Sequence, residues 1–334
     1  RYRFITREYI GPYAASKNIA YKDRNGKEIR SFFEILVGDL QDTDTLRMQC
    51  SSLQDQVQSL QQELLSSVDK VEYATDAELA SDFRALRMAI KSFCRSIKPL
   101  NNNEVFSIEA IQRSLFVANV PPRYWHGRGR MKYLLEAFVW SKLYEDIFNS
   151  PFFIFGNYHT GLSEEYFTIF GEENVYRWPI PSQRAENFRY TTIEQIIERV
   201  DMDVLTEGME KDNPSYLEQS IMQTRIQLLD DIVLPLLNVS PDTDFTKIYS
   251  ILNKAFALSL KMGLQRCRVQ IVHPEIGVAY TSGQPDLSSI PESEDLESGN
   301  VAFIVNPGIA KWGDAEGKML DQRLDIVPSL VFVE

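Results

Sequence analysis

The residues that could do chemistry are concentrated in one basic segment, residues 123–132, within PPRYWHGRGRMKYLLEAFVW. Its cations stand beside glycines and aromatic residues, at the point where a helix is predicted to begin. Glycines let backbone amides turn outward and a helix N-terminus carries partial positive charge, so the segment could bind a phosphate, and its rings could stack on a base. The candidate anion-binding residues are Arg123, Trp125, His126, Arg128, Arg130 and Lys132.

A structural interpretation of the same segment stays open. Tyr124 and Trp125 could be core anchors, and the arginines could pair with acids of this acidic chain. The spacing matches neither G-x-x-x-x-G-K-[ST] nor G-x-G-x-x-G after a strand, so the sequence has no phosphate-loop fingerprint. The basic segment is therefore a local signal for anion binding rather than a motif.

Other catalytic or metal-binding patterns are weak. His126, His159 and His273 are isolated and lack the spacings of metal-binding motifs. Cys267 with His273 could supply a thiol nucleophile, but strand-like alternation places Cys267 among packing residues. The acids of residues 201–212 do not follow the D-x-[DN]-x-[DN]-G pattern of a calcium loop with its closing glutamate, and we interpret them as a solvated helix face. We assign no catalytic residue, no metal ligand and no cofactor.

Composition narrows the class of protein. The chain has 334 residues and a formal net charge of -12, which argues against a general binder of polyanions. Three widely spaced cysteines indicate a reducing compartment, and neither a secretory signal nor a membrane-length apolar run is recognisable. We expect an intracellular protein, cytoplasmic or nuclear, with no membrane partner. Because the first residue is Arg, we also expect a processed chain or a piece of a longer one.

A heptad pattern follows the N-terminal region. Apolar side chains alternate at spacings of four and three over residues 46–64, as at the a and d positions of a coiled coil. The pattern predicts homo-oligomerisation or pairing with a protein partner, and an amphipathic helix packed within one globular domain is the alternative. The predicted oligomerisation residues are Leu46, Leu53, Val57, Leu60 and Leu64.

The predicted fold is mainly α: a heptad helix leads into a multi-helix body, with an N-terminal hairpin and a small C-terminal β-sheet. Asn25-Gly26 is typical of a hairpin turn, and short β-branched runs appear only after Gly263. The predicted parts are residues 1–41 with the hairpin, the heptad helix 42–74, the helical body 75–263, and a β-containing part 264–334 with an acidic loop at 282–300.

Capping patterns predict several helix boundaries. The capping boxes Thr75–Glu78 and Thr192–Gln195 each predict a helix start. Asn213 before Pro214 predicts another, for a helix that Pro235 ends or kinks. A later helix is expected to end at Gly263. Predicted strands cover 267–272, 301–305 and 330–333.

The helix that Thr75 opens has a basic side. Its apolar residues repeat at the helical spacing, while Arg84, Arg87, Lys91 and Arg95 occupy other positions. Two helices in series, the second more basic and more aromatic, suggest a stalk that feeds into the helical body.

Three stretches carry a resemblance: DFRALRMAIKSFCRSIKPL, then WHGRGRMKYLLEAFVWSKLYEDIFNSPFFIFG, then VNPGIAKWGDAEG. With the preceding heptad helix, this layout resembles uncharacterised coiled-coil-led helical proteins of filamentous fungi, from about Leu46 to the C-terminus. The resemblance implies the architecture described above and no activity, cofactor or site residue.

Three functions are compatible with the sequence. The first is a non-enzymatic interaction or scaffold protein that assembles through the heptad helix and presents its body to a protein partner. The alternative is nucleic-acid or phosphate-ligand binding through the basic segment. A hydrolase or transferase whose site forms only in three dimensions is the third, and a pocket holding His159 or His273 beside acids would favour it.

Overall fold

A computed structural model describes residues 48–49, 51–54, 56–57, 74–99, 102–126, 129–171 and 178–334, with only the backbone of 102–104, 158 and 159. The chain divides into two compact units, Arg1–Glu72 and Tyr73–Glu334. The predicted hairpin within 1–41 lies outside the described residues, as do Leu46, Leu60 and Leu64.

The heptad prediction is wrong as a statement of fold, because a coiled-coil lead is not shown. The described residues between 48 and 57 are helical, as the pattern requires. However, Leu53 is 59% exposed and Val57 is 52% exposed, so these two side chains of the predicted seam face solvent. A heptad pattern specifies an amphipathic helix, but a coiled coil also needs a partner helix to bury the stripe.

Helices form most of the second unit up to residue 263. In chain order they are α1 (Asp76–Ser96), α2 (Asn102–Ser107), α3 (Glu109–Gln112), α4 (Met131–Leu143), α5 (His159–Phe170), α6 (Gln183–Ile197), α7 (Met202–Glu207), α8 (Tyr216–Leu237) and α9 (Lys247–Gly263). A π-helical turn, Tyr144–Phe148, continues α4, and a 3₁₀ segment, Phe153–Tyr158, precedes α5.

The chain after α9 forms strands. They are β1 (Arg268–Val272), β2 (Ala279–Thr281), β3 (Leu287–Ser289), β4 (Ser298–Asn306), β5 (Gly308–Trp312), β6 (Arg323–Val327) and β7 (Ser329–Val333). One sheet has the order β1-β5-β6 and the other β2-β4-β7-β3, and the β3–β7 pair is parallel. The remaining pairs are antiparallel.

The prediction of a mainly α fold with a small C-terminal sheet is therefore corrected to helices packed with two sheets. The three predicted strands are present, within β1, β4 and β7. The additional strands are β2, β3, β5 and β6: β2 and β3 are only three residues long, and β6 is buried only at Val327. Short or partly exposed strands of this kind depend on pairing with a neighbour and give a weak sequence signal. β5 differs from them, because its residues Gly308, Ile309 and Ala310 are buried.

Two helix starts differ from the predicted ones. Helix α6 begins after Ser182, whose Oγ accepts a hydrogen bond from the backbone of Ala185, so Thr192 lies inside the helix. The inward face of α6 includes two buried charged residues, Glu186 and Arg189, and this hides its apolar periodicity.

Helix α8 begins after Ser215, which forms a capping box with Glu218, rather than at Asn213. It also continues through Pro235 to Leu237. Pro235 has no backbone N–H to donate to the helix. Because it lies in the last turn of α8, the missing hydrogen bond disrupts little of the helix. The predicted start of α1 at Thr75 and the end of α9 at Gly263 are confirmed.

One apolar core joins helices and strands. The apolar stripe of α1 is buried, with Phe83 packing 5.4 Å from the ring of Trp140 between ring centroids. Helix α4 is buried on nearly every side, since it contacts α1 and β4. A helix that is buried on nearly every side is expected at the centre of a domain. Helix α4 thus lies between α1 and β4.

Candidate anion-binding site

The aromatic residues of the basic segment pack into the protein. Trp125 is 2% exposed, and its ring centroid lies 4.3 Å from that of Phe303 on β4. Tyr124 is also buried, 6.4 Å from the ring of Phe332 on β7. The structure thus places these two rings against the second sheet.

The cations of the segment contact neighbouring groups. Arg130 donates to Glu292 over 3.1 Å and to the carbonyl of Tyr124 over 3.2 Å, and it lies over the ring of Phe332. Arg123 donates to the hydroxyl of Tyr124 over 3.0 Å. The ammonium of Lys132 lies 4.6 Å from the ring centre of Tyr133, which is a cation–π distance.

The other two candidates of the segment stand apart from these contacts. His126 is exposed, with its ring 4.5 Å from Phe106, and Arg128 lies outside the described residues. Anion binding by residues 123–132 stays a prediction, and the structure brings only some of its cations into the engaged geometry described above.

A second group of cations surrounds a cavity on α1, which we call the basic pocket. Spacings of three and four residues place Arg84, Arg87 and Lys91 on one side of the helix. The cavity has a volume of about 300 Å³. Its lining residues are Arg84, Arg87, Met88, Lys91, Asn306 and Leu330. The last two come from the ends of β4 and β7, so the pocket exists only because the second sheet closes against α1.

The three cations of the basic pocket form no ion pair with a described acid. Among the described residues, none of their side chains forms an ion pair or a hydrogen bond. The acids of α1 are engaged elsewhere: Asp76 pairs with Lys311, and Asp82 pairs with Lys261. Acids near the start of a helix and bases near its end are favoured by the helix dipole, and this accounts for the order of charges along α1. The dipole does not explain why the bases converge on a cavity.

A buried carboxyl group lies beneath the pocket. Glu136 on α4 is 1% exposed, and its Oε1 has no hydrogen-bond partner among the described residues. Burial raises the pKa of Glu136, whereas Lys91, Asn306 and then Arg95 act to lower it. Asn306 is held in place because its Oδ1 accepts a hydrogen bond of 2.5 Å from Trp140 Nε1.

The charges of the basic pocket do not balance. Burial lowers the pKa of Arg87, with Glu136 opposing that shift and Arg84 adding to it. Glu136 is the carboxyl group whose charge interacts with Arg87 and Lys91, and burial disfavours its ionisation. Clustered cations repel one another, and an incoming anion would relieve that repulsion while forming charge-assisted hydrogen bonds.

His273 is one of the two histidines whose position in a pocket beside acids would favour an enzymatic function. It lies in a groove of about 520 Å³ that is also lined by Glu275 and by mostly apolar residues. Burial lowers the pKa of His273, and its ring packs edge-on against Phe116 and Tyr144. Cys267 is buried, and burial raises the pKa of its thiol, which disfavours the thiolate. No serine, threonine, cysteine or lysine is among the residues that line this groove. The side chain of His159 lies outside the described atoms.

Among the acids of residues 201–212, Asp201 has a structural role. Asp201 accepts a hydrogen bond from the backbone of Asp203 at the start of α7, and Lys211 pairs with both Asp201 and Glu218. In the part of the chain that the structure describes, no group of three or more His, Cys, Asp or Glu side chains has the geometry of a metal site.

Sequence reasoning recorded the cations of α1 but did not assign them a site. The basic segment has its cations next to one another in sequence, whereas the basic pocket needs Asn306 and Leu330 from more than 200 positions later. The available signal was the excess of bases over acids from Arg84 to Arg95 in a chain that is otherwise acidic.

Comparisons with known proteins add no relative. No family model, no curated protein and no solved structure matches the chain. Within the described residues, none of the helices combines the length and the apolar character needed to cross a membrane.

Proposed function

We propose that this chain is a non-enzymatic binding protein that holds a compact anion, of the phosphomonoester type, in the basic pocket. The observation that carries the proposal is the convergence on one cavity of Arg84, Arg87 and Lys91, none of which forms an ion pair or a side-chain hydrogen bond with a described residue. A phosphate monoester carries close to two negative charges and three acceptor oxygens, which suits two guanidinium groups and an ammonium group.

A compact anion fits better than a nucleic acid. The formal net charge of -12 opposes the approach of a long polyanion, whereas a local cluster still attracts a small anion within about 10 Å at moderate salt. The cavity of about 300 Å³ is at the lower end of the size range of small-molecule sites.

The phosphomonoester has two possible sources with the same chemistry. It could belong to a free metabolite or to a phosphorylated side chain of a protein partner, and the latter would join this proposal to the expected interaction function. The two sources differ in what surrounds the phosphate, so a peptide gains contacts that a free ester lacks.

Isothermal titration calorimetry at low salt tests the proposal. We expect O-phosphoserine to bind and serine to give no heat. The double variant Arg84→Gln/Lys91→Gln is expected to weaken binding by at least 10-fold, since each charged hydrogen bond contributes about 1.5–3 kcal/mol. A phosphoserine peptide that binds more tightly than the free ester would identify a protein partner as the source, and equal binding would identify a free ester.

The matched control is Arg123→Gln/Lys132→Gln, which removes the same charge from the basic segment. It is expected to leave the affinity for O-phosphoserine within about twofold of the wild type. Loss of binding in the control but not in the pocket variant would place the site at residues 123–132. Equal binding of serine and O-phosphoserine would overturn the proposed function.

A further inference from the structure

A second cavity, unrelated to the basic pocket, has a buried guanidinium group in its wall. It lies where the end of α7 meets α8 and α9, and its volume is about 180 Å³. We call it the Arg225 cavity. Its walls include Met222, Ile226 and Leu229 of α8 and Leu252 of α9. An apolar cavity of about 150 Å³ admits a molecule as large as benzene, so this volume suits a ligand of about one side chain.

Arg225 has a structural role that accounts for part of its hydrogen bonding. Its Nη2 donates to the carbonyls of Leu205 and Thr206 at the end of α7, over 2.7 and 2.8 Å. Its Nη1 donates to Asn253 Oδ1 over 2.8 Å, and the guanidinium lies 4.1 Å from the ring centre of Phe256. A cation at a helix C-terminus is favoured by the helix dipole.

The charge of Arg225 is nevertheless unpaired. The residue is 8% exposed, and all its hydrogen-bond acceptors are neutral. It forms no ion pair with any described acid. Burial lowers its pKa to about 10, in keeping with a cation that has left water without gaining an anion. A buried charge normally has a partner of opposite sign, so this one calls for a ligand or another explanation.

One nitrogen of the guanidinium group forms no hydrogen bond. Arg225 Nε is buried and has no hydrogen-bond partner among the described residues. An arginine has five N–H donors in a planar fork, and the side of the fork that includes Nε suits a carboxylate. Each unsatisfied buried donor costs about 1–3 kcal/mol, and a carboxylate that reached Nε would remove this cost.

The entrance of the cavity has the opposite charge. Glu207 and Glu210 line it and are exposed to solvent, as is much of Tyr249 and Ile226. Carboxylates at the entrance would repel a simple anion but would attract a ligand that also carries an ammonium group. The order of groups is thus guanidinium inside, apolar wall, carboxylates at the entrance.

We propose that the Arg225 cavity binds an apolar α-amino acid, with its carboxylate on Arg225, its ammonium group near Glu207 and Glu210, and its side chain against Ile226 and Leu229. All three features of such a ligand have a counterpart in the cavity. The proposal is independent of the basic pocket, because it uses different residues and a ligand without phosphate.

Three probes of similar shape test the proposal on the intact chain. L-leucine has both charges, 4-methylpentanoate lacks the ammonium group and 3-methylbutylamine lacks the carboxylate. By calorimetry we expect leucine to bind at least 10-fold more tightly than either analogue. Equal affinity for leucine and the amine, equal affinity for leucine and the acid, or no leucine binding would each overturn the assignment.

Variants at the entrance and wall avoid the structural role of Arg225. Glu207→Gln/Glu210→Gln is expected to weaken leucine binding about 10-fold while leaving 4-methylpentanoate unchanged or tighter. Ile226→Trp fills the cavity from a half-exposed position and should abolish leucine binding, whereas Ile226→Val should retain it within about threefold. Unaltered leucine affinity in the Trp variant would place any binding elsewhere and overturn the proposal.

Discussion

Arg268 and Glu186 form a buried ion pair that joins the first strand to the helices. Arg268 Nε donates to Glu186 Oε1 over 2.8 Å, and each residue is at most 1% exposed. Arg189 donates to the other oxygen of the same carboxylate, also over 2.8 Å. The two guanidinium groups also donate to backbone carbonyls, including those of Gln265 and Cys267, so β1 is tied to α6 through one acid.

Removal of that carboxylate should destabilise the protein strongly. Glu186→Gln leaves two guanidinium groups buried without an anion, for which we expect a loss of about 3–5 kcal/mol in the free energy of unfolding. Urea denaturation measures it. As a control, Glu109→Gln breaks an exposed pair with Arg113 and should cost less than about 0.5 kcal/mol. A loss below about 1 kcal/mol for Glu186→Gln would contradict the structural role.

This ion pair shows what the sequence could not reveal. Glu186 and Arg189 are three residues apart, but Arg268 lies on a different element, and no local pattern predicts their meeting. Local signals performed well where the structure depends on neighbours in sequence: the capping box at Thr75 and the apolar runs within β4 and β7 were informative. Buried charges on a helix defeat periodicity, because the pattern assumes that charged side chains face water.

The candidate site was only partly predictable for the same reason. Composition indicated that bases gather along α1, and helical spacing places Arg84, Arg87 and Lys91 on one side. The cavity itself depends on Asn306 and Leu330, which arrive through the pairing of β4 and β7. Sheet closure of this kind is a long-range event that a single sequence does not encode in any local window.

A close backbone approach at Gly156 gives a second prediction. Gly156 has φ of 67°, and a Cβ there would lie 2.3 Å from the carbonyl oxygen of Ser220 on α8. Gly156→Ala should therefore cost more than about 2 kcal/mol, through both the strained backbone and the clash. Gly161→Ala is the matched control, since nothing lies within 4 Å of its Cβ position, and it should stabilise α5 by about 0.5–1 kcal/mol. Thermal unfolding of the two variants compares them, and equal melting temperatures would contradict the close approach.

Asp146 gives a third prediction, on pH dependence. Burial, together with Glu145 and Asp231, raises its pKa to about 6, and Lys142 opposes the shift. The folded state therefore binds this proton more tightly than the unfolded state, whose carboxyl titrates near pH 4. Its contribution to stability is present below about pH 4, falls as pH rises to about 6, and is lost above that value.

Asp146→Asn should remove this dependence. At pH 7 we expect the variant to be more stable than the wild type by about 1–3 kcal/mol, and the difference should shrink towards zero at pH 4. Denaturation midpoints at half-unit pH steps measure it, and subtraction cancels the contributions of other groups such as Glu136. Asp231→Asn removes a negative charge that raises the pKa of Asp146, so the pH range over which this stability is lost should move to lower pH. A difference that grows on acidification would contradict the direction of the pKa shift.

The basic pocket gives the last prediction, a separation of stability from binding. Without ligand, Arg84→Gln removes one of three mutually repelling cations, so its free energy of unfolding should equal that of the wild type or exceed it by up to about 0.5 kcal/mol. With O-phosphoserine in excess, the wild type should gain stability as the bound state fills, and the variant should gain less. Arg123→Gln is the control and should gain as much as the wild type. A ligand-binding cluster of like charges lowers the stability of the unliganded protein, so loss of one cation should not destabilise it. If Arg84→Gln instead destabilised the unliganded protein by more than about 1 kcal/mol, the cations would have a structural role.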